Sequence, residues 1–304
     1  MSKLPAQGAD RPKNGLQRKN VVMVLFTLPV LILYSVFFLV PMILGVYYSL
    51  TNWTGISKTF DFIGLKNYAT VLQDKRFYNA IFFNFKYTIC LVIGTILLSL
   101  LIALALNQLG KSSTFFRSVY FIPAVLSLVT VGLIWNELFL RALPVIGKSL
   151  GIGFLSTNIL GNPKTAMFGV LIVNLWQGCA IPTVLFVAGL QSVPKDLYEA
   201  ATIDAANAWQ KFKAITVPFL IPIITMVVIT TTKGGLTIFD YIKAMTDGGP
   251  AQATEAIGIL IYRHAMSEGK FAQSVAESMI LFVIVAIVSF ATIKLTSNKQ
   301  VGDD

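Results

Sequence analysis

Long apolar runs alternate with short polar stretches along this chain of 304 residues. Six runs are long enough to cross a bilayer, near 21–48, 84–107, 115–137, 165–190, 217–240 and 274–295. A spanning helix needs roughly 20 apolar residues. Hydrocarbon offers backbone groups no partner but one another, so each run is expected to be helical. Pro29, Pro41, Pro123 and Pro182 fall inside runs and mark expected kinks. Gly169, Gly178 and Gly189 in the fourth run would let helices approach closely. The first run is too long for a signal-peptide core and no small-residue cleavage site follows it, so it is expected to stay as a span. The predicted fold is an all-α membrane protein. One six-span domain covers 21–297, between a disordered basic tail at 1–20 and a short tail at 298–304.

Composition narrows the class. Only 12% of residues are charged, against about 25% in soluble domains. Hydrophobic residues make up 55%, and mean hydropathy is +0.73. The formal charge of +10 comes without a basic stripe interleaved with aromatics, so it reads as flanking charge rather than a nucleic-acid surface. With the N-terminus inside, twelve Lys/Arg fall in the short inside segments and ten in the longer outside loops. Both termini, and the polar stretch between runs four and five, are then expected to be cytoplasmic. Trp53, Phe60, Phe62 and Tyr68 in the first outer loop read as an interfacial belt. Asp247-Gly248-Gly249-Pro250 in the last reads as a turn.

Catalytic chemistry has no foothold in this pattern. Gly-Lys-Ser occurs at 110–112 and 147–149, but the glycine that a phosphate loop needs five residues earlier is Ala105 and Ala142. Cys90 and Cys179 lie in apolar runs and read as small core residues, and the lone His264 predicts no metal cluster. No triad or carboxylate pair stands out. Ion-coupled carriers bury acids in their spans; here the first five spans hold none away from an end, and Glu277 is expected in the first turn of the sixth, near the outer surface. Lys86 can snorkel outward. Lys233, well inside the fifth span, has to face protein or water, either paired or in a path.

One polar block, "YEAATIDAANAWQKFKAITVP", Tyr198 to Pro218, interrupts the apolar pattern. Pro194 suits a first helical turn, with Ser192 before it as a candidate cap. Leu197, Ala200, Ala201, Ala205, Ala208 and Phe212 recur at helical spacing as a narrow stripe of mostly small residues. A membrane anchor would carry bulky residues there, so the stripe suits a protein groove better. Glu199, expected near the helix N-terminus, is also favoured by the helix dipole.

The block resembles the EAA loop of permease subunits of ABC importers. Glu199, Ala200, Ala201, Asp204, Ala206, Phe212, Ile215, Pro218 and Pro222 match its pattern over 194–218 and just beyond. Ala205 stands where the pattern usually has glycine, a loss of backbone freedom at the bend. "FDYIKAMTDGGPAQATEAIGILIYRHAM" resembles the carbohydrate branch, and "VPMILGVYYSLTNW" with "FIGLKNYATVLQD" the first of its two permease types. The resemblance implies a six-span permease of a bacterial cell membrane, with a cytoplasmic coupling helix between spans four and five. It implies a second related permease as heterodimer partner, two ABC ATPase subunits docked on the EAA loop, and an extracytoplasmic solute-binding protein. ATP and Mg would then sit on the ATPases, with no cofactor in this chain and no nucleic acid.

A sugar path needs hydrogen-bonding side chains around a wet cavity. Asn174, Gln177 and Gly178 share one face of span four, near Trp176. Span five offers Thr231, Lys233 and Gly235, with Thr230, Gly234 and Thr237 beside them, and its adjacent glycines suit a hinge. The competing reading is that these polar and small residues glue helices together. A self-contained secondary transporter or channel is the alternative function, and the lack of intramembrane acids weighs against it.

Overall fold

A computed structural model describes residues 14–109 and 113–297. The expected tails lie outside these residues except for 14–20, and so does Gly110-Lys111-Ser112. Residues 14–20 are helical, not tail: α1 runs Asn14–Tyr34. The chain continues through α2 (Val40–Ser49), α3 (Lys66–Gln73), α4 (Lys75–Gln108), α5 (Ser113–Val125), α6 (Leu128–Glu137) and α7 (Leu143–Ser149). Then come α8 (Ala166–Gly178), α9 (Ala180–Ser192), α10 (Lys195–Ile203), α11 (Ala208–Lys211), α12 (Val217–Leu236), α13 (Asp240–Met245), α14 (Ile257–Met266) and α15 (Phe271–Ser297). Among the described residues the fold is all helical, with one isolated bridge, Thr51 to Phe62.

Five stretches are long and apolar enough to cross a membrane, and the bent pair α8–α9 supplies up to a sixth. The third differs from its expected 115–137. The helix breaks at Leu126-Ser127, and the apolar stretch is Leu128–Ser149. The second is longer than expected at both ends, because the polar turn Lys75–Asn79 continues the helix. The fifth stops at Leu236, short of 240.

Prolines account for most irregularities. A proline lacks an N–H, and its ring collides with the carbonyl four residues earlier. For Pro41, Pro144 and Pro218 that carbonyl belongs to Phe37, Leu140 and Ala214. Each is the middle residue of a five-residue π-helical turn, Ser35–Leu39, Leu138–Ala142 and Phe212–Thr216. For Pro182 it belongs to Gly178, the last residue of α8, where the pair bends by 47°.

The hub is α4. Its buried residues, Phe77, Ala80, Asn84, Tyr87, Leu91, Thr95, Ser99 and Ala103 among them, recur every three or four positions. That stripe meets α8, α9, α12 and α14. One cluster joins Leu106 to Phe186 and Leu220; another joins Phe77 to Ile257 and Ala276. Gly189 lies so close to Ile223 and Leu220 that a Cβ would collide with both, and Gly169 meets Leu160. Cys179 is buried and Cys90 half-buried, both as free thiols.

Ion pairs bind the end of the bundle at which α4 starts. Glu255, 3% exposed, takes two hydrogen bonds of 2.7 Å from Arg76 and another from Arg263. Arg263 also donates to the carbonyl of Asp247, which holds the expected Asp247–Pro250 turn against α14. Burial pushes the Glu255 carboxyl up, but its bonds to Arg76 and Arg263 outweigh this and hold it below the usual carboxylate range. Glu277 was expected in the first turn of the sixth span, on its outer side; α15 starts earlier, at Phe271. Glu277 is the seventh residue of α15 and fully buried.

The adjacent glycines of α12 face different surroundings. A Cβ on Gly235 would sit 2.6 Å from Thr88 Oγ1 and 2.9 Å from Thr88 Cα, whereas Gly234 has open space. Gly235 is therefore a packing contact with α4. Gly235→Ala is expected to destabilise the protein by about 1–3 kcal/mol, while Gly234→Ala is neutral or stabilising by helix propensity, about 1 kcal/mol. Thermal unfolding of the two purified variants checks this; equal shifts would refute the packing role.

Candidate functional site

A cavity of about 600 Å³ opens between α8–α9, α12 and α13. Its polar wall includes Asn174, Gln177, Thr230, Thr231, Thr237, Asp240 and Tyr241. Of the expected path residues, Asn174, Gln177, Gly178 and Thr231 line it. Gly235 does not, because it packs on Thr88. Lys233 does not line it either. It is exposed on the rim of the same helical face, with no ion-pair partner among the described residues. Trp176 turns to an edge-on contact with Trp135, with centroids 5.6 Å apart.

Two of the lining amides already have partners. Asn174 Nδ2 donates to the Tyr87 hydroxyl at 2.9 Å, and this holds the amide oriented. Gln177 Nε2 donates to the carbonyls of Pro123 (3.0 Å) and Leu126 (2.9 Å), and its Oε1 accepts from Tyr241 at 2.8 Å. Gln177 thus braces the break between α5 and α6, the helix-gluing use that stood beside solute contact as a reading of this residue. Thr231 makes no such bond and is the freest polar group of the expected set. Asp240 and Tyr241 went unnoticed in the sequence because they follow the apolar run and read as the start of an outer loop. A helix break after Leu236 folds them back against the cavity.

The second candidate surface is the loop between α9 and α12. The expected continuous stripe is interrupted: α10 ends at Ile203, and Ala208 and Phe212 belong to the next helical segment. Ser192 does not cap α10; its hydroxyl donates to the carbonyl of Gly189, and Pro194 is the N-cap. Glu199 is the fifth helical residue, past the first turn where the dipole acts, and Asp196 occupies that turn instead. Ala205 has φ +55°; its N–H meets the carbonyl of Thr202, and that of Ala206 meets Ala201. This is a Schellman end to α10, at the position where glycine avoids the left-handed penalty.

Cross-ties hold the loop. Lys211 Nζ donates to Thr202 at 2.7 Å, Tyr198 and Thr216 share a hydrogen bond of 2.8 Å, and Asn207 with Gln210 forms a capping box. Glu199, Ala200, Asp204 and Ala205 are exposed; Ala201 and Phe212 are half-buried. Bulky apolar residues are exposed beside them: Ile203 at 86%, Trp209 at 69% and Leu197 at 41%. Ile203 and Trp209 were legible as large residues off the alanine stripe, but the stripe drew attention away from them.

The family model described as binding-protein-dependent transport system inner membrane component matches residues 95–298. The multiple sugar-binding transport system permease protein MsmF of Streptococcus mutans is 45% identical over 91% of this chain and 95% of its own length. The probable starch degradation products transport system permease protein AmyD of Thermoanaerobacterium thermosulfurigenes is 32% identical over 91% and 94%. The fold matches a chain of a bacterial alginate ABC transporter, solved with its alginate pentasaccharide-bound periplasmic protein, at a TM-score of 0.80 and 19% identity, over 96% of this chain and 99% of that one. The chain therefore belongs to the family of binding-protein-dependent transport system inner membrane components, the permease subunits of ABC importers.

Proposed function

We propose that this chain is the permease subunit of an ATP-driven importer for a sugar or oligosaccharide, fed by an extracytoplasmic binding protein and paired with a second, related permease. Sugar-permease names among relatives up to 45% identical support the substrate class. Six spans follow if α8–α9 counts as one bent span. The basic N-terminal segment supports a cytoplasmic position for both termini and the α10–α11 loop in a bacterial cell.

The observation that carries the proposal is the uncovered apolar patch on that loop. Leu197, Ile203 and Trp209 stand exposed on an otherwise polar, cross-tied element, as expected of anchors for a protein groove. Here two ATPase subunits would dock, one on this loop and one on that of the partner permease. Glu199, Ala200, Ala201, Asp204, Ala205 and Phe212 shape the surface, with Ile203 and Trp209 added as anchors. The chain carries no phosphate loop, so ATP and Mg belong to the ATPases. The connectivity supports alternating access. The loop joins α9 directly to α12, and both line the cavity, so ATPase closure moves the cavity walls. Asn174, Gln177, Gly178 and Thr231 form this chain's share of the path, with Tyr241 and Asp240; Lys233 would face the partner permease.

Ile203→Asp and Glu199→Lys are expected to leave the chain in the membrane at normal amounts. Both are expected to lose co-purifying ATPase and to cut uptake roughly tenfold or more. Unchanged uptake would reject the docking surface and favour a self-contained transporter. Thr231→Val removes one hydrogen-bonding group from the cavity, and uptake at saturating binding protein should fall roughly fivefold for a loss of about 1 kcal/mol. Wild-type uptake would remove Thr231 from the path. Ala205→Gly relieves about 1 kcal/mol of left-handed strain, so amides at the end of α10 should exchange several-fold more slowly with deuterium; faster exchange would contradict the bend.

A further inference from the structure

Where the α3–α4 corner meets α14 and α15, three chain-distant side chains converge. Donor atoms of Asp74, His264 and Glu277 all lie within 4.8 Å of one another. The expectation that a lone histidine makes no metal cluster rested on His and Cys alone, and it missed carboxylates brought together by the fold. His264 is 2% exposed and Glu277 is wholly buried. His264 Nδ1 lies 2.7 Å from Glu277 Oε1, and Gln273 Nε2 makes a longer approach of 3.4 Å to the same oxygen. The other oxygen, Oε2, is buried with no hydrogen-bond partner.

An unpartnered carboxylate oxygen inside a protein is costly, and the cost falls only when a cation or donor meets it. The neighbouring cations are already committed. Arg76 is bonded to Glu255 and Glu268, Arg263 to Glu255, and Lys270 to Glu268. Glu268 Oε2 approaches the far nitrogen of His264 at 3.6 Å, adding negative rather than positive charge. Among the described residues the pocket thus presents two carboxylates and an imidazole without a free cation.

We propose that Asp74, His264 and Glu277 bind a divalent cation of the zinc class, which ties the start of α4 to the α14–α15 hairpin. Two carboxylates balance its charge, and Glu277 Oε2 gains the partner it lacks. One imidazole nitrogen with carboxylate oxygens suits Zn²⁺ or Mn²⁺, whereas Ca²⁺ and Mg²⁺ favour oxygen-only sets. Water entering from the half-buried Asp74 side would complete the shell.

The experiment uses the full chain, tag removed, in its assembled importer. Metal content is measured by mass spectrometry after dialysis, and unfolding temperature with chelator, then with ZnCl₂, MnCl₂ or MgCl₂. The expected result is near one equivalent of bound metal, a lower Tm with chelator, and recovery with Zn²⁺ or Mn²⁺ but not Mg²⁺. Asp74→Asn is the decisive variant. Asn can still cap the α4 N–H of Arg76 that Asp74 Oδ1 now accepts, so the fold is kept. Zinc affinity should nevertheless fall roughly tenfold or more. Glu277→Gln should abolish uptake of the metal. Less than a tenth of an equivalent, with no Tm response to any cation, would overturn the proposal. So would a site unaffected by Asp74→Asn. Either would leave His264 and Glu277 as a buried hydrogen-bonded pair.

Discussion

A peptide group released from a helix inside an apolar interior has to find another partner, because no water is there to take it. This chain breaks its helices repeatedly, and a few buried polar side chains absorb the consequences. Asn84, on α4, is the clearest. Its Nδ2 donates to the carbonyl of Leu236 at the end of α12, and its Oδ1 accepts from the N–H of Ile257 at the start of α14. One amide closes two helix ends that lie 21 residues apart in sequence. Gln177 does the same for the break between α5 and α6 and adds Tyr241. Through these two side chains the rigid helices α4 and α8 hold the irregular segments that shape the cavity.

The spans were legible because hydrophobic length is a one-dimensional signal. The breaks were only half legible. Prolines mark where a helix is disturbed, and the carbonyl four residues back locates the disturbance, as at Phe37, Leu140, Ala214 and Gly178. What sequence does not reveal is whether the chain absorbs the collision as a π turn or as a bend. That depends on neighbours: Leu220 and Ile223 crowd Gly189 and hold α9 against α12. The third span was misplaced for the same reason, since its break at Leu126-Ser127 depends on a distant glutamine.

Site residues divide by the kind of evidence behind them. The α10–α11 loop is readable because its polarity contrasts with its surroundings, and the bend at Ala205 because glycine is usual there; that alanine itself takes the left-handed conformation is not. Asn174, Gln177 and Thr231 were readable as costly polar groups in an apolar run. Gly235 was misjudged because a glycine's pattern cannot tell a hinge from a close contact, and the adjacent Gly234 differs from it only in what stands opposite. Asp240 and Tyr241 were missed because hydropathy assigns them to a loop, whereas the break after Leu236 turns them inward.

The two surfaces are mechanically continuous, and this bears on how a loop can drive a cavity. Segment α10–α11 is short and tied to itself by Lys211–Thr202 and to the start of span five by Tyr198–Thr216. A force on Ile203 or Trp209 therefore has little local compliance to dissipate it. It passes to α9 and α12, which are locked side by side at Gly189 and Leu220. Compliance remains at the bend beside Gly178 and the π turn at Phe212–Thr216, where backbone hydrogen bonds are already displaced. In the proposed function those two joints would let a displacement of the loop move α9 and α12 together. Thr230 and Thr231, on the moving unit, then shift relative to Asn174 and Gln177, which stay anchored by Tyr87 and by the carbonyls of Pro123 and Leu126. A cavity walled by one anchored and one moving set of polar groups can hold a solute in one position and release it in the other.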